Sequence, residues 1–270
     1  MSARAEPAGI RALVCLYCPP PAGAVFRALD AIEGELTALL APRLEHTGVH
    51  ARLAWWREEC ARTIGGTPEH PLTRSLAHAL AAAGSCAAPE LTGLIDNTLW
   101  DLAAAPFADE PALEGYAGRW AGAFMRPLAA ALGADAGSAV TCGTQLRRLE
   151  LLLQLRGEAV AGRVRLPLDA LGPLDAGELC RPRWPDELSE RVQAAHARSR
   201  SVLAATVRAL GGRGGAALRP LRVWASLLDT HARHAARRLP RADTGRPIAG
   251  VLDGWRAWRA ARGTLRQTTP

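Results

Sequence analysis

Apolar residues recur at three- and four-residue intervals along most of this chain, and prolines or glycine pairs cut the pattern into helix-sized lengths. In "PAGAVFRALDAIEGELTALLA" the positions Val25, Leu29, Ile32, Leu36, Leu39 and Leu40 form one stripe of a helix, and Pro42 ends it. Similar stretches predict helices near 8–17, 48–64, 69–83, 88–105, 136–157, 186–210, 216–238 and 246–262. The segment from Asp109 opens with acidic residues and Pro111 at the first turn, good helix-start chemistry, and Pro127 is expected to kink or split it. Residues 162–185 read as irregular. The expectation is an all-α, single-domain helical bundle of about ten helices over residues 1–270, with its core at about 10–262.

Composition agrees. The chain has 270 residues, 49% of them hydrophobic, rich in alanine and leucine and poor in β-branched and aromatic types. No strand series supports a Rossmann fold or a barrel, and "GRGGA" follows a helix rather than a strand, so it is not a nucleotide loop. The basic residues are all arginine and the formal charge is +7, but no basic run is interleaved with aromatics, so no nucleic-acid partner is expected. No apolar run reaches the ~18 residues of a membrane span. "IRALVCLYC" contains Arg11 and lacks a clear cleavage site, which leads to a cytoplasmic expectation.

Of the six cysteines only Cys15 and Cys18 have metal or redox spacing, with no second pair for zinc. His46 and His50, and His231 and His234, lack an HExxH pattern. "LAWWREEC" puts Trp55 and Trp56 beside Arg57 and two glutamates, read as a packed aromatic anchor with Arg57 in a salt bridge. Asp96 and Asp101 lie five apart, roughly 140° around a helix, so one faces inward if the other is solvated. "EGYAGRWAGAF" sets Tyr116 among Gly118, Ala121 and Gly122, small residues that admit a helix or a ligand. Gln154 and Glu158 share a helix face, where two carboxylates would clamp magnesium but an amide and one acid stand.

In order, "LAWWREEC", "EHPLTRSLA", "LIDNTLWDL", "LEGYAGRWAG", "QLRRLELLLQLRGEAVAGRVRLP" and "GWRAWRAAR" resemble the landmarks of the squalene/phytoene synthase family. The "WWRE" segment is similar to a bacterial branch and to the mitochondrial complex I assembly-factor branch. The resemblance implies a bundle of the isoprenoid synthase type around a central cavity. It also implies head-to-head joining of two prenyl diphosphates, with two aspartate-rich motifs holding Mg2+. Magnesium takes hard oxygen ligands and neutralises the leaving diphosphate.

By this resemblance the first motif falls on Thr37 and Ala41, with Asp30 and Glu33 earlier on the helix, and the second on Gln154 and Glu158. Asp101, Tyr116, Gly122, Arg147 and Arg163 stand at family landmarks, and Arg165 replaces the tyrosine of "GRxYLP". These twelve residues are the candidate cavity and diphosphate site, with no residue assigned as catalytic and none as a metal ligand. No cofactor is expected, Mg2+ only if the chain is active. The expected function is a catalytically degenerate family member, a scaffold or isoprenoid-binding partner. An active prenyltransferase of carotenoid, squalene or hopanoid biosynthesis and a purely structural helical protein stay open. Partners would be a prenyl diphosphate or other isoprenoid lipid, or a protein. Trp255, Arg256, Trp258 and Arg259 leave room for peripheral contact at the inner membrane, and packing of this helix explains them equally well.

Overall fold

The computed structural model describes residues 9–41, 46–86, 88–210, 217–242 and 249–263. Twelve α-helices follow one another among them: α1 (Ile10–Cys15), α2 (Pro20–Ala38), α3 (His46–Ile64), α4 (Pro71–Ala82), α5 (Thr92–Leu102), α6 (Glu110–Leu132), α7 (Ala136–Leu153), α8 (Leu155–Val160), α9 (Leu168–Leu171), α10 (Asp186–Ala209), α11 (Arg219–Arg238) and α12 (Val251–Gly263). A 3-10 turn over Ala176–Cys180 precedes α10. The described residues hold no β-strand; an isolated bridge joins Arg183 and Arg241.

Local chemistry sets the ends. Pro19 to Pro21 stop α1, as expected, and also start α2, because a proline in the first turn needs no N–H. The Asp109 carboxylate accepts from Ala112 N–H at 2.9 Å to open α6, and Gly133 closes it in the left-handed region at φ 63°. Asp135 then caps α7 through Ser138 N–H at 2.7 Å. Pro127 does not split α6, which runs unbroken through it.

The break falls elsewhere. The helix expected over 136–157 is interrupted at Gln154, whose N–H turns back to Leu151 O at 3.1 Å before α8 resumes. Helix α9 and the 3-10 turn lie in the stretch read as irregular, and the start of the last predicted helix lies outside the described residues.

Helices α2, α6, α7 and α11 surround the interior. Phe26 (α2), Trp120 and Phe124 (α6) and Trp224 (α11) meet there with ring centroids 4.9–6.2 Å apart, each at most 1% exposed. The close approaches of α6 involve other glycines than expected. A Cβ on Gly93 would lie 2.5 Å from the Arg119 carbonyl oxygen, and one on Gly143 would strike Met125. Gly118 has open space, and Gly122 faces only the end of Arg126.

Candidate functional site: two arginine-filled acid clusters

Arg11, on α1, reaches into the aromatic layer. Its guanidinium donates to Glu150 on α7 through Nε (3.1 Å) and an Nη atom (2.7 Å). It donates to Asp30 (2.9 Å) and Glu33 (2.6 Å) on α2 through its other Nη atom. The rings of Trp120, Phe124 and Trp224 lie 5.2–5.5 Å from the same group. Arg147, on α7, completes the cluster at 3.1 Å from Glu33 and 3.3 Å from Glu150. Acids from facing helices therefore converge on one cation, and that cation is a guanidinium. Burial pushes the Glu33 carboxyl up, and the charges of Arg11 and Arg147 outweigh this and hold it at about 2. Glu150 is lowered against its burial by the same arginines.

A second cluster lies beside the first, with Arg147 close enough to act electrostatically on Tyr116. Gly162, at φ 82°, turns the chain after α8, and Arg163 N–H closes the turn on Glu158 O at 2.8 Å. The side chains of Arg163 and Arg165 then fold back on Glu158, each with Nε 2.8–2.9 Å from Oε2. Arg165, 3% exposed, also donates to Asp101 Oδ1 at 2.6 Å, and Tyr116 OH donates to Asp101 Oδ2 at 2.9 Å. Burial pushes the Glu158 carboxyl up, and Arg163 and Arg165 bring it down to about 2. Burial raises the Tyr116 phenol to about 12.

The other candidate positions contribute no side chain to the ion pairs of either cluster. Thr37 is exposed and its hydroxyl donates to Glu33 O at 2.8 Å, while Ala41 is exposed beyond the end of α2. Gln154 sits half-buried at the α7–α8 break, and a Cβ at Gly122 would meet only Arg126 Nε, at 3.9 Å. Two cluster members are not among the sequence candidates: Arg11, and Glu150, the acid set in the apolar run "LELLL". That run was the available signal for Glu150, which lies one helical turn before Gln154.

A magnesium cluster would need carboxylates one turn apart on facing helices. Thr37 and Ala41 offer none, and Gln154 offers an amide. Both oxygens of Glu158 already accept from guanidinium groups. Glu33 and Glu150 are likewise ion-paired. Among the described residues, no group of three or more His, Cys, Asp or Glu is placed to hold a metal. The donor set does not fit magnesium.

Matching against protein families assigns residues 11–248 to squalene/phytoene synthase. The chain belongs to the squalene/phytoene synthase family. Its fold is shared with a dehydrosqualene synthase solved in complex with ligand (TM-score 0.73, 13% identity, covering 95% of this chain and 90% of that one). It is shared also with the squalene synthase HpnC from Alicyclobacillus acidocaldarius (TM-score 0.67, 15% identity, covering 86% and 89%). A comparison with curated protein sequences finds no match.

The "WWREE" segment on which the resemblance leaned is a structural joint in this family member. Arg57 pairs with Asp96 at 2.8 Å on the surface, as expected. Glu59 is fully buried and accepts from the N–H groups of Glu69 and His70 at 2.9 Å each, and from Thr73 Oγ1 and Arg62 Nε. It thereby holds the start of α4, where the helix dipole favours an anion. Burial raises its carboxyl, and these donors bring it down to about 2.

All six cysteines are free thiols, and burial pushes Cys18 up to about 12, the reverse of what a reactive thiol needs. His231 is spent on Asp253 at 2.9 Å.

Grooves among the described residues include about 770 Å3 between α2 and α4, about 650 Å3 beside Trp55 and His70, and about 600 Å3 between α10 and α11. None of these three is lined by a residue of either cluster. Among the described residues, no helix is long and apolar enough to cross a membrane.

Proposed function

We propose that this chain is a catalytically degenerate member of its family that works as a scaffold or assembly factor. The carrying observation is Arg11, which bridges the acids of α2 to the acid of α7 with hydrogen bonds of 2.6–3.1 Å. A divalent cation between these helices would have to displace a buried guanidinium that makes four such bonds. The second cluster supports the same reading, since two arginines neutralise Asp101 and Glu158. Ionising a prenyl diphosphate requires positive charge free to meet the leaving group. Here each cluster cation is engaged by the protein's own carboxylates.

A scaffold is favoured over a lipid-binding partner because the interior between α2, α6, α7 and α11 is taken up by fully buried rings.

Full-length protein incubated with farnesyl or geranylgeranyl diphosphate and Mg2+ should release no product above a no-protein control, and titration with either diphosphate should leave the thermal midpoint unchanged. Chelator-sensitive turnover would overturn the reading in favour of an active prenyltransferase. Diphosphate-dependent stabilisation without turnover would favour the isoprenoid-binding partner.

A further inference from the structure

Helix α12 is anchored on one side and bare on the other. Ala257 and Ala261 are buried, and Asp253, 2% exposed, accepts from Gly250 N–H at 2.8 Å and pairs with His231 and Arg256 at 2.9 Å each. These contacts fasten the helix to α11. On the outer side Val251 is 98% exposed, Leu252 63%, Trp255 54% and Trp258 48%. Ten large apolar side chains are exposed among the described residues, and four of them are on this one helix.

Two arginines share that side. The Arg259 guanidinium lies 4.6 Å over the Trp255 ring and that of Arg262 lies 4.6 Å over Trp258. Steps of about 100° per residue place Val251, Leu252, Trp255, Trp258, Arg259 and Arg262 within an arc of roughly 120°. No acid lies in it, since Asp253 is turned inward.

We propose that this face of α12 lies flat on the surface of an anionic bilayer. Charge complementarity selects the occupant. The face carries cations and no acid, so its complement is an anionic surface, and these cations are stacked on the indoles themselves. That coincidence of apolar and cationic surface suits the boundary between headgroups and acyl chains. Indoles settle there, and arginine stems follow them in while the guanidinium stays with the phosphates. The thirteen residues of α12 are too few to span the ~20 that a membrane crossing requires, so the helix rests in the interface plane. The inference is independent of whether the chain is catalytic.

Flotation of the full chain with vesicles tests it. Vesicles of equal parts phosphatidylcholine and phosphatidylglycerol should bind at least ~10-fold more tightly than phosphatidylcholine alone, with the difference lost in high salt. In the parent protein, brominated acyl chains should quench part of the tryptophan emission. The double variants Arg259→Glu/Arg262→Glu and Trp255→Ser/Trp258→Ser should each lower binding at least ~10-fold while leaving the melting temperature nearly unchanged, because these side chains are exposed.

Absence of binding to the mixed vesicles overturns the proposal. So does equal binding by parent and both variants, or binding without quenching. A dimer that Trp255→Ser/Trp258→Ser dissolves, with no vesicle binding, would assign the face to a second copy of the chain instead.

Discussion

Replacing Arg11 by methionine would strand Glu33 and Glu150 as buried acids, each only 6% exposed, with Arg147 alone to serve both. Breaking a buried pair from one side costs about 3–5 kcal/mol, so the melting temperature should fall by roughly 10 °C, read by calorimetry. Changing Arg11, Glu33 and Glu150 together to apolar residues of similar volume should recover most of that loss, because no uncompensated charge remains. Glu158, the one acid that the resemblance leaves at the second motif, is in the fold the counter-ion of two arginines. Glu158→Ala should therefore cost about 2–4 kcal/mol in urea denaturation. Gln154→Asp should confer no turnover of prenyl diphosphates, since no acid stands at Thr37 or Ala41 to face it.

At the scale of elements, one glycine of α5 and one of α6 should respond with opposite signs. Gly93→Ala drives a Cβ to 2.5 Å from a backbone oxygen of α6, which cannot swing aside, and should destabilise by about 1–3 kcal/mol. Gly118→Ala meets nothing within 4 Å, on a helix interior, and should stabilise by about 0.5–1 kcal/mol through helix propensity. Matched urea titrations of the two variants read the difference. Both glycines are plain in the sequence, yet only the facing backbone distinguishes them. The helices themselves were far more legible: α2, α6, α10 and α11 lie close to where periodicity, proline starts and glycine ends placed them. Gln154 was not, because its break leaves the apolar pattern of "LELLLQL" undisturbed.

For the molecule as a whole, the depressed carboxyls of Glu33, Glu59 and Glu158 link folding to pH. Each titrates at about 2 when folded and near 4.3 when unfolded. Above about pH 5 both states are ionised and the stabilisation is fully present. Between there and about pH 2 the unfolded chain takes up protons that the folded chain refuses, and stability falls. Urea midpoints should stay nearly flat from pH 7 to 5 and drop steeply below 4. Glu59→Gln should make that drop shallower, as it removes one of the depressed carboxyls, and should loosen α4 in amide exchange. Arg11 escaped sequence reasoning because its partner Glu150 is 139 residues away. Arg165 and Asp101, 64 apart, were each picked out by resemblance, but nothing in the chain says that they pair.

The amino-acid sequence alone determined where the helices run, which family the chain resembles, and that carboxylates are missing at the expected metal positions. These are matters of local periodicity and of which donor atoms a side chain carries. The tertiary structure alone decided what the remaining acids do. Glu33, Glu150, Asp101 and Glu158 acquire their guanidinium partners only when the apolar faces of α1, α2, α5, α6, α7 and α8 close together. Packing brings distant segments within 3 Å and excludes the water that would otherwise screen them.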